Sequence, residues 1–175
     1  LIAANLYPLY PTQLSLLGAF TIGTPAFVLA LQPNKELIRG DFLVNVILKA
    51  LPAGLADFIM LAAISIHGNI LGMSNEQIST VAIVILLFIG LAALVRICRP
   101  FDGIRILLCL AMAAGIVICV LNFKGIFAIT TVNMIMLRMI IMYALIAGVL
   151  FCIMCKSVGG WIDYMERHSK RFRSC

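Results

Sequence analysis

Between Ser15 and Ala26 an apolar run is interrupted by Thr21, Gly23, Thr24 and Pro25. Pro25 has no N–H and so cannot serve the carbonyl of Thr21. Thr24 is biased away from helical angles by the proline after it, and Gly23 removes a side chain that would shield the backbone. Bare carbonyls in a bilayer need a partner, because an unsatisfied group there costs several kcal/mol. A neighbouring helix, a hydroxyl, water or a dehydrated cation can supply one. Two readings follow: a plain proline kink re-satisfied by Ser and Thr, or an ion site of the kind that discontinuous helices build in transporters. Asp57 is the only acidic residue well inside an apolar segment, and a carboxylate there costs on the order of 3 kcal/mol on insertion scales. Either it joins Thr21, Gly23, Thr24 and Pro25 in one ion path, with Thr21 and Asp57 as metal ligands, or it lies nearer the outer leaflet, hydrogen-bonded to a Ser or Thr or paired with Arg138.

Other residues with chemical potential read as structural. Met134, Met136, Met139 and Met142 form a cluster without the thiolates that a soft-metal site needs, so packing between helices is the better account. Cys152 and Cys155 are three apart on one helical face, a poor substitute for the loop-borne pair of a zinc site, and a structural or lipid-modified role suits them better. His67 and His168 lack metal-ligand company. The six cysteines read as a reduced set, since Cys109 and Cys119 lie inside apolar runs and the others near basic segments.

Positioning these residues requires membrane-spanning helices. The chain has 175 residues, 63% of them hydrophobic and 11% charged, with a mean hydropathy of +1.14, a composition far from that of soluble domains. About 20 apolar residues of helix cross a hydrocarbon core roughly 30 Å thick. Apolar runs predict five spans at 14–31, 42–66, 78–97, 104–123 and 134–155, an all-α polytopic bundle whose first span is broken at Gly23-Thr24-Pro25. Turn residues separate them: Gln32-Pro33-Asn34, then His67-Gly68-Asn69 with Ser74-Asn75-Glu76, then Arg99 to Gly103, then Asn122 to Gly125. Residues 1–13 read as the end of a preceding helix and an outer turn, 14–155 as the transmembrane domain and 156–175 as a basic cytoplasmic tail. That tail, with Trp161 and Tyr164 among its basic residues, suits a short amphipathic helix lying on the inner leaflet. Ala111 with Gly115, and Ala144 with Gly148, are small pairs that let helices approach closely.

Eleven of the 13 Lys and Arg residues fall on one side: Lys35, Arg39 and Lys49, then Arg96, Arg99 and Arg105, then Lys156, Arg167, Lys170, Arg171 and Arg173. Lys124 stays on the other, with Arg138 if it snorkels outward, and the positive-inside rule puts the tail in the cytoplasm. The net charge of +6 therefore reports on topology in a cell membrane and not on nucleic-acid binding. An external start without a charged leader suits a piece of a longer protein. The alternative is a small autonomous membrane scaffold or accessory subunit assembling through its small-residue faces.

Tyr10 to Leu14, running through Thr21-Ile22-Gly23-Thr24-Pro25-Ala26 to Leu29 and Asn34, resembles the sixth membrane helix of P-type cation-transporting ATPases. Phe42 to Val46 with Ala50 to Gly54 resembles the seventh helix of bacterial members, and Leu94 to Phe101 their eighth-to-ninth junction. The resemblance covers essentially the whole chain and implies that the five spans are helices six to ten. It implies a transported cation, the remaining helices and cytoplasmic domains of a parent pump as partners, and ATP and magnesium as requirements of that parent. Calcium and sodium–potassium pumps carry an Asn, then Thr-Asp three residues on; the matching positions here are Gly18, Thr21 and Ile22, without the carboxylate. Thr24-Pro25-Ala26 replaces the Cys-Pro-Cys of heavy-metal pumps, which disfavours a soft-metal exporter. Calcium is the ion the resemblance favours. No D-K-T-G-T, T-G-D-N or G-D-G-x-N-D segment occurs in these residues, so ATP hydrolysis is expected of the parent and not of this chain alone.

Overall fold

The computed structural model describes residues 9–31, 42–98, 102–122 and 132–172, with the side chains of 42–46, 48, 49, 121 and 159–172 left aside. The turn expected at Gln32-Pro33-Asn34, the breaks at Arg99 to Phe101 and beyond Asn122, and the preceding-helix reading of residues 1–8 lie outside the described residues. So do Lys35, Arg39, Lys124, Arg173 and Cys175.

Five helices are long and apolar enough to cross a membrane, and no strand occurs among the described residues. The first, α1, covers Pro11–Ala30; α2 covers Phe42–Ile70, α3 Asn75–Ile97, α4 Gly103–Asn122 and α5 Met134–Phe172. At about 1.5 Å per residue, α2 and α5 exceed the bilayer core by many ångströms.

The helix α3 is the centre of the bundle. It packs against α1, α2, α4 and α5, and its window has the highest mean hydropathy of the five, 2.9. A helix that is apolar all round has no face that prefers water, and most of α3 is buried, with Phe88 and Ile97 left exposed. Ile78, Val81, Ile83, Ile85 and Ile89 are almost fully buried, packed with Ala56, Met60 and Ile64 of α2 and Met136, Met139, Tyr143 and Ala147 of α5. A second, smaller cluster joins Leu94 and Cys98 to Leu108 and Met112 of α4. Two of the four clustered methionines thus fill the core, while Met134 and Met142 face outward.

The α2–α3 connection differs from the sequence expectation. His67, Gly68 and Asn69 are helical, and the turn comes later, at Gly72 with φ +67°. Met73 N–H donates to Gly68 O and Gly72 N–H to Asn69 O, at 3.0 and 3.1 Å, the bond pair of a Schellman C-cap. Gly68 is tolerated inside the helix because Ile78 lies against it: a Cβ there would stand 2.6 Å from Ile78 Cγ1. Ser74 then caps α3. Its N–H donates to Gln77 Oε1 at 3.1 Å while Gln77 N–H donates to Ser74 Oγ at 3.4 Å, a reciprocal capping box that starts the helix three residues before the expected 78.

The last helix also departs from expectation. It continues without interruption through Gly159 and Gly160 to Phe172, so the tail is a direct extension of the last span and not a separate helix laid on the membrane.

Candidate functional site

The interruption expected in α1 is present, but the backbone stays helical through it. The α-helix of Pro11–Gly18 widens into a π turn at Ala19–Gly23 and resumes at Thr24–Ala30. Gly23 and Thr24 keep right-handed helical angles, φ/ψ −63°/−61° and −62°/−45°, which corrects the expectation that Pro25 biases Thr24 away from helical angles. One extra residue in the turn makes room for the proline ring that would otherwise clash with the carbonyl four residues back.

The hydrogen-bond ladder pays for that accommodation. Thr24 N–H donates to Ala19 O, five residues back, instead of to Phe20 O. Pro25 has no N–H to offer Thr21 O. Two consecutive carbonyls, Phe20 and Thr21, therefore lack their ordinary donors, ten residues into a 20-residue span. Thr21 Oγ–H does not cover this gap, since it donates to Leu17 O at 2.7 Å.

The π turn is seated by two glycines. A Cβ on Gly90 of α3 would overlap Thr21 Cγ2 and Cβ, and one on Gly115 of α4 would overlap the Phe20 ring. Gly115 was singled out in the sequence for close approach; Gly148 was too, yet nothing lies within 4 Å of its Cβ position. Pro25 is buried, whereas Ile22, Gly23 and Thr24 are exposed on the other side of the turn.

Nearer its start α1 is tied to α3 by polar groups the sequence reading missed. Gln13 is fully buried; its Oε1 accepts from Tyr10 N–H at 3.2 Å and from Ser79 Oγ–H. Ser79 and Thr80 are fully buried as well, and Thr80 Oγ–H donates to Glu76 O at 2.8 Å. Their signal in the sequence is faint: polar residues at the end of the most apolar span.

Asp57 lies in α2 seven residues after the start of the apolar span Ala50–Ile70 and 13 before its end, roughly 10 and 20 Å from the two ends at 1.5 Å per residue. Its Oδ1 is buried without a hydrogen-bond partner, and no ion pair with Arg138 occurs among the described residues. No hydrogen bond joins Asp57 to Thr21. Their helices share α3 as a packed neighbour, α1 on one side and α2 on another. The Asp57 carboxylate and the Phe20 and Thr21 carbonyls are hard oxygen donors, the type that suits alkali and alkaline-earth cations and not soft metals. Among the described residues no three His, Cys, Asp or Glu side chains converge to hold a metal. A groove of about 300 Å³ between α3 and α4, lined by residues such as Leu87, Phe88 and Ile116, is wholly apolar and offers no ligand.

His67 is engaged elsewhere. Tyr143 OH is hydrogen-bonded to His67 Nδ1 at 2.9 Å and lies 3.3 Å from Ala63 O, tying α2 to α5.

Comparison with known proteins places this architecture. The chain is 35% identical over 117 residues to the calcium-transporting ATPase CtpE of Mycobacterium bovis, covering 65% of this chain and 15% of the relative. It is 31% identical over 135 residues to CtpE of Mycolicibacterium smegmatis, covering 74% of this chain and 17% of that protein. The "Probable cation-transporting ATPase exp7" of Streptococcus pneumoniae is 31% identical over 110 residues, 63% of this chain and 14% of its own length. The chain is homologous to part of the P-type cation-transporting ATPases. The match spans about one sixth of the length of these pumps or less. No protein-family profile matches the chain, and no solved structure matches it.

Proposed function

We propose that this chain forms the ion-translocating wall of an ATP-driven cation pump, with α1 supplying backbone oxygens and α2 a carboxylate. The observation that carries the reading is the π turn at mid-span, where Phe20 and Thr21 lose their ordinary backbone donors in a chain related to cation pumps. In lipid those carbonyls need a partner, and a dehydrated cation satisfies them while giving up its water. Thr21, Gly23, Thr24 and Pro25 shape the opening and Asp57 supplies the charge; Thr21 and Asp57 are the proposed ligands. Calcium is the proposed ion, in keeping with the names of two relatives.

ATP and magnesium belong to the larger pump, and no residue of this chain is proposed to hold them. The larger pump's cytoplasmic domains and remaining helices complete the machinery. The proposed setting is the cell membrane with α5 ending in the cytoplasm, as the eleven-to-two partition of basic residues favours.

The test is a cation screen of phosphoenzyme formation in the full-length pump. Stimulation by calcium over magnesium, potassium and zinc supports the reading. Phosphorylation indifferent to every cation contradicts it.

A further inference from the structure

Arg96 stands in the last turn of α3, half-buried, and its Nη1 donates to Cys155 Sγ of α5 at 3.0 Å. A thiol is a weak, neutral acceptor, whereas guanidinium carries five N–H donors and a permanent charge. Arg105 pairs with Asp102 at 4.0 Å, and no ion pair joins Arg96 to a carboxylate whose side chain is described. A cation held partly out of water against a neutral partner is costly until an anion completes it.

A second cation is carried by the next residue of α5. Lys156 follows Cys155 directly and is exposed. Arg96 is one residue from the end of the span Asn75–Ile97, and Lys156 two from the end of Met134–Val158. Both charges therefore stand where a helix pair leaves the hydrocarbon and meets the headgroups.

We propose that Arg96 and Lys156 form a binding site for the phosphate of an anionic phospholipid at the α3–α5 boundary. The planar guanidinium matches two phosphate oxygens at once, the Cys155 contact holds its plane at the helix junction, and Lys156 meets the remaining charge. Basic groups placed between helices at this depth encounter headgroups before they encounter dissolved phosphate. The site is independent of the ion path and of which cation is moved.

The test is native mass spectrometry of the full chain in detergent, titrated with phosphatidylglycerol, phosphatidylcholine or sodium phosphate. Phosphatidylglycerol binds in preference to phosphatidylcholine, and sodium phosphate at equal concentration does not displace it. Arg96→Gln weakens phosphatidylglycerol binding by about tenfold. Arg96→Lys, which keeps the charge and the fold but loses the planar fork, weakens it by less. Arg138→Gln, removing an exposed cation elsewhere, leaves it unchanged. Wild-type affinity in both Arg96 variants, an equal loss in Arg138→Gln, or displacement by sodium phosphate overturns the proposal.

Discussion

Single residues in this bundle owe their chemistry to what surrounds them. Asp57 would be an ordinary carboxylate at a surface; within α2 its Oδ1 is buried without a hydrogen-bond partner. Cys98, at the C-terminal end of α3 just outside the span, shows the same dependence in milder form. Burial pushes its thiol up to about 11 from an ordinary 9.0, the neighbouring Cys109 adds to the rise, and Arg105 opposes it. The folded state therefore holds this proton more tightly than the unfolded chain, so the stability contributed by the neutral thiol is complete below about pH 9 and is lost as pH rises towards 11. Alkylation of Cys98 at pH 8 is expected to be many times slower than that of a free thiol and to accelerate steeply above pH 10. Peptide mapping after timed iodoacetamide exposure measures this, and a rate like that of free cysteine would contradict it.

At the scale of elements, α1 illustrates what the sequence reveals and where it stops. Gly23-Thr24-Pro25 announces an interruption because proline lacks a donor, and that is legible in one residue. The form of the interruption is not, because a π turn and an unwound break remove the same bonds, and the choice depends on the neighbours. Gly90 and Gly115 admit Thr21 and Phe20, so the helix widens and stays packed. Gly90→Ala is expected to destabilise the fold by about 1–3 kcal/mol, since the short branched Thr21 side chain cannot swing aside. Gly148→Ala, with nothing within 4 Å, should be near neutral in the same thermal unfolding assay. Pro25→Ala returns a donor to the Thr21 carbonyl; melting should rise, by on the order of 1 kcal/mol, while cation transport falls. A faster pump in that variant would argue that the π turn is only a packing accommodation. The α2–α3 turn teaches a related lesson. His67-Gly68-Asn69 has turn composition, yet the packing of Ile78 on Gly68 keeps it helical and leaves the reversal to Gly72.

For the whole molecule, the number of spans was legible because lipid allows few alternatives: nearly every backbone group must find a partner away from lipid, which a helix supplies, and about 20 apolar residues are needed to cross. Which helix is central was written only as a gradient, in the high hydropathy of α3. The polar tie of Gln13 to Ser79 was not legible, because both residues are common at helix ends and only the packing of α1 on α3 buries them. Orientation rests on the distribution of Lys and Arg. With a membrane-impermeant maleimide, Ser74→Cys in the α2–α3 turn should label from outside intact cells and Ser157→Cys in α5 only after permeabilisation. Labelling in the reverse order would invert the bundle.

The most direct measurement is the cation dependence of phosphoenzyme formation in the full-length pump carrying Asp57→Asn. The substitution keeps the size of the side chain and removes its charge. Half-maximal stimulation should shift to a cation concentration at least about tenfold higher, a change of roughly 1.4 kcal/mol in binding. A dose–response curve superimposable on that of the unmodified pump would contradict a cation path built from the opened carbonyls of α1 and the carboxylate of α2.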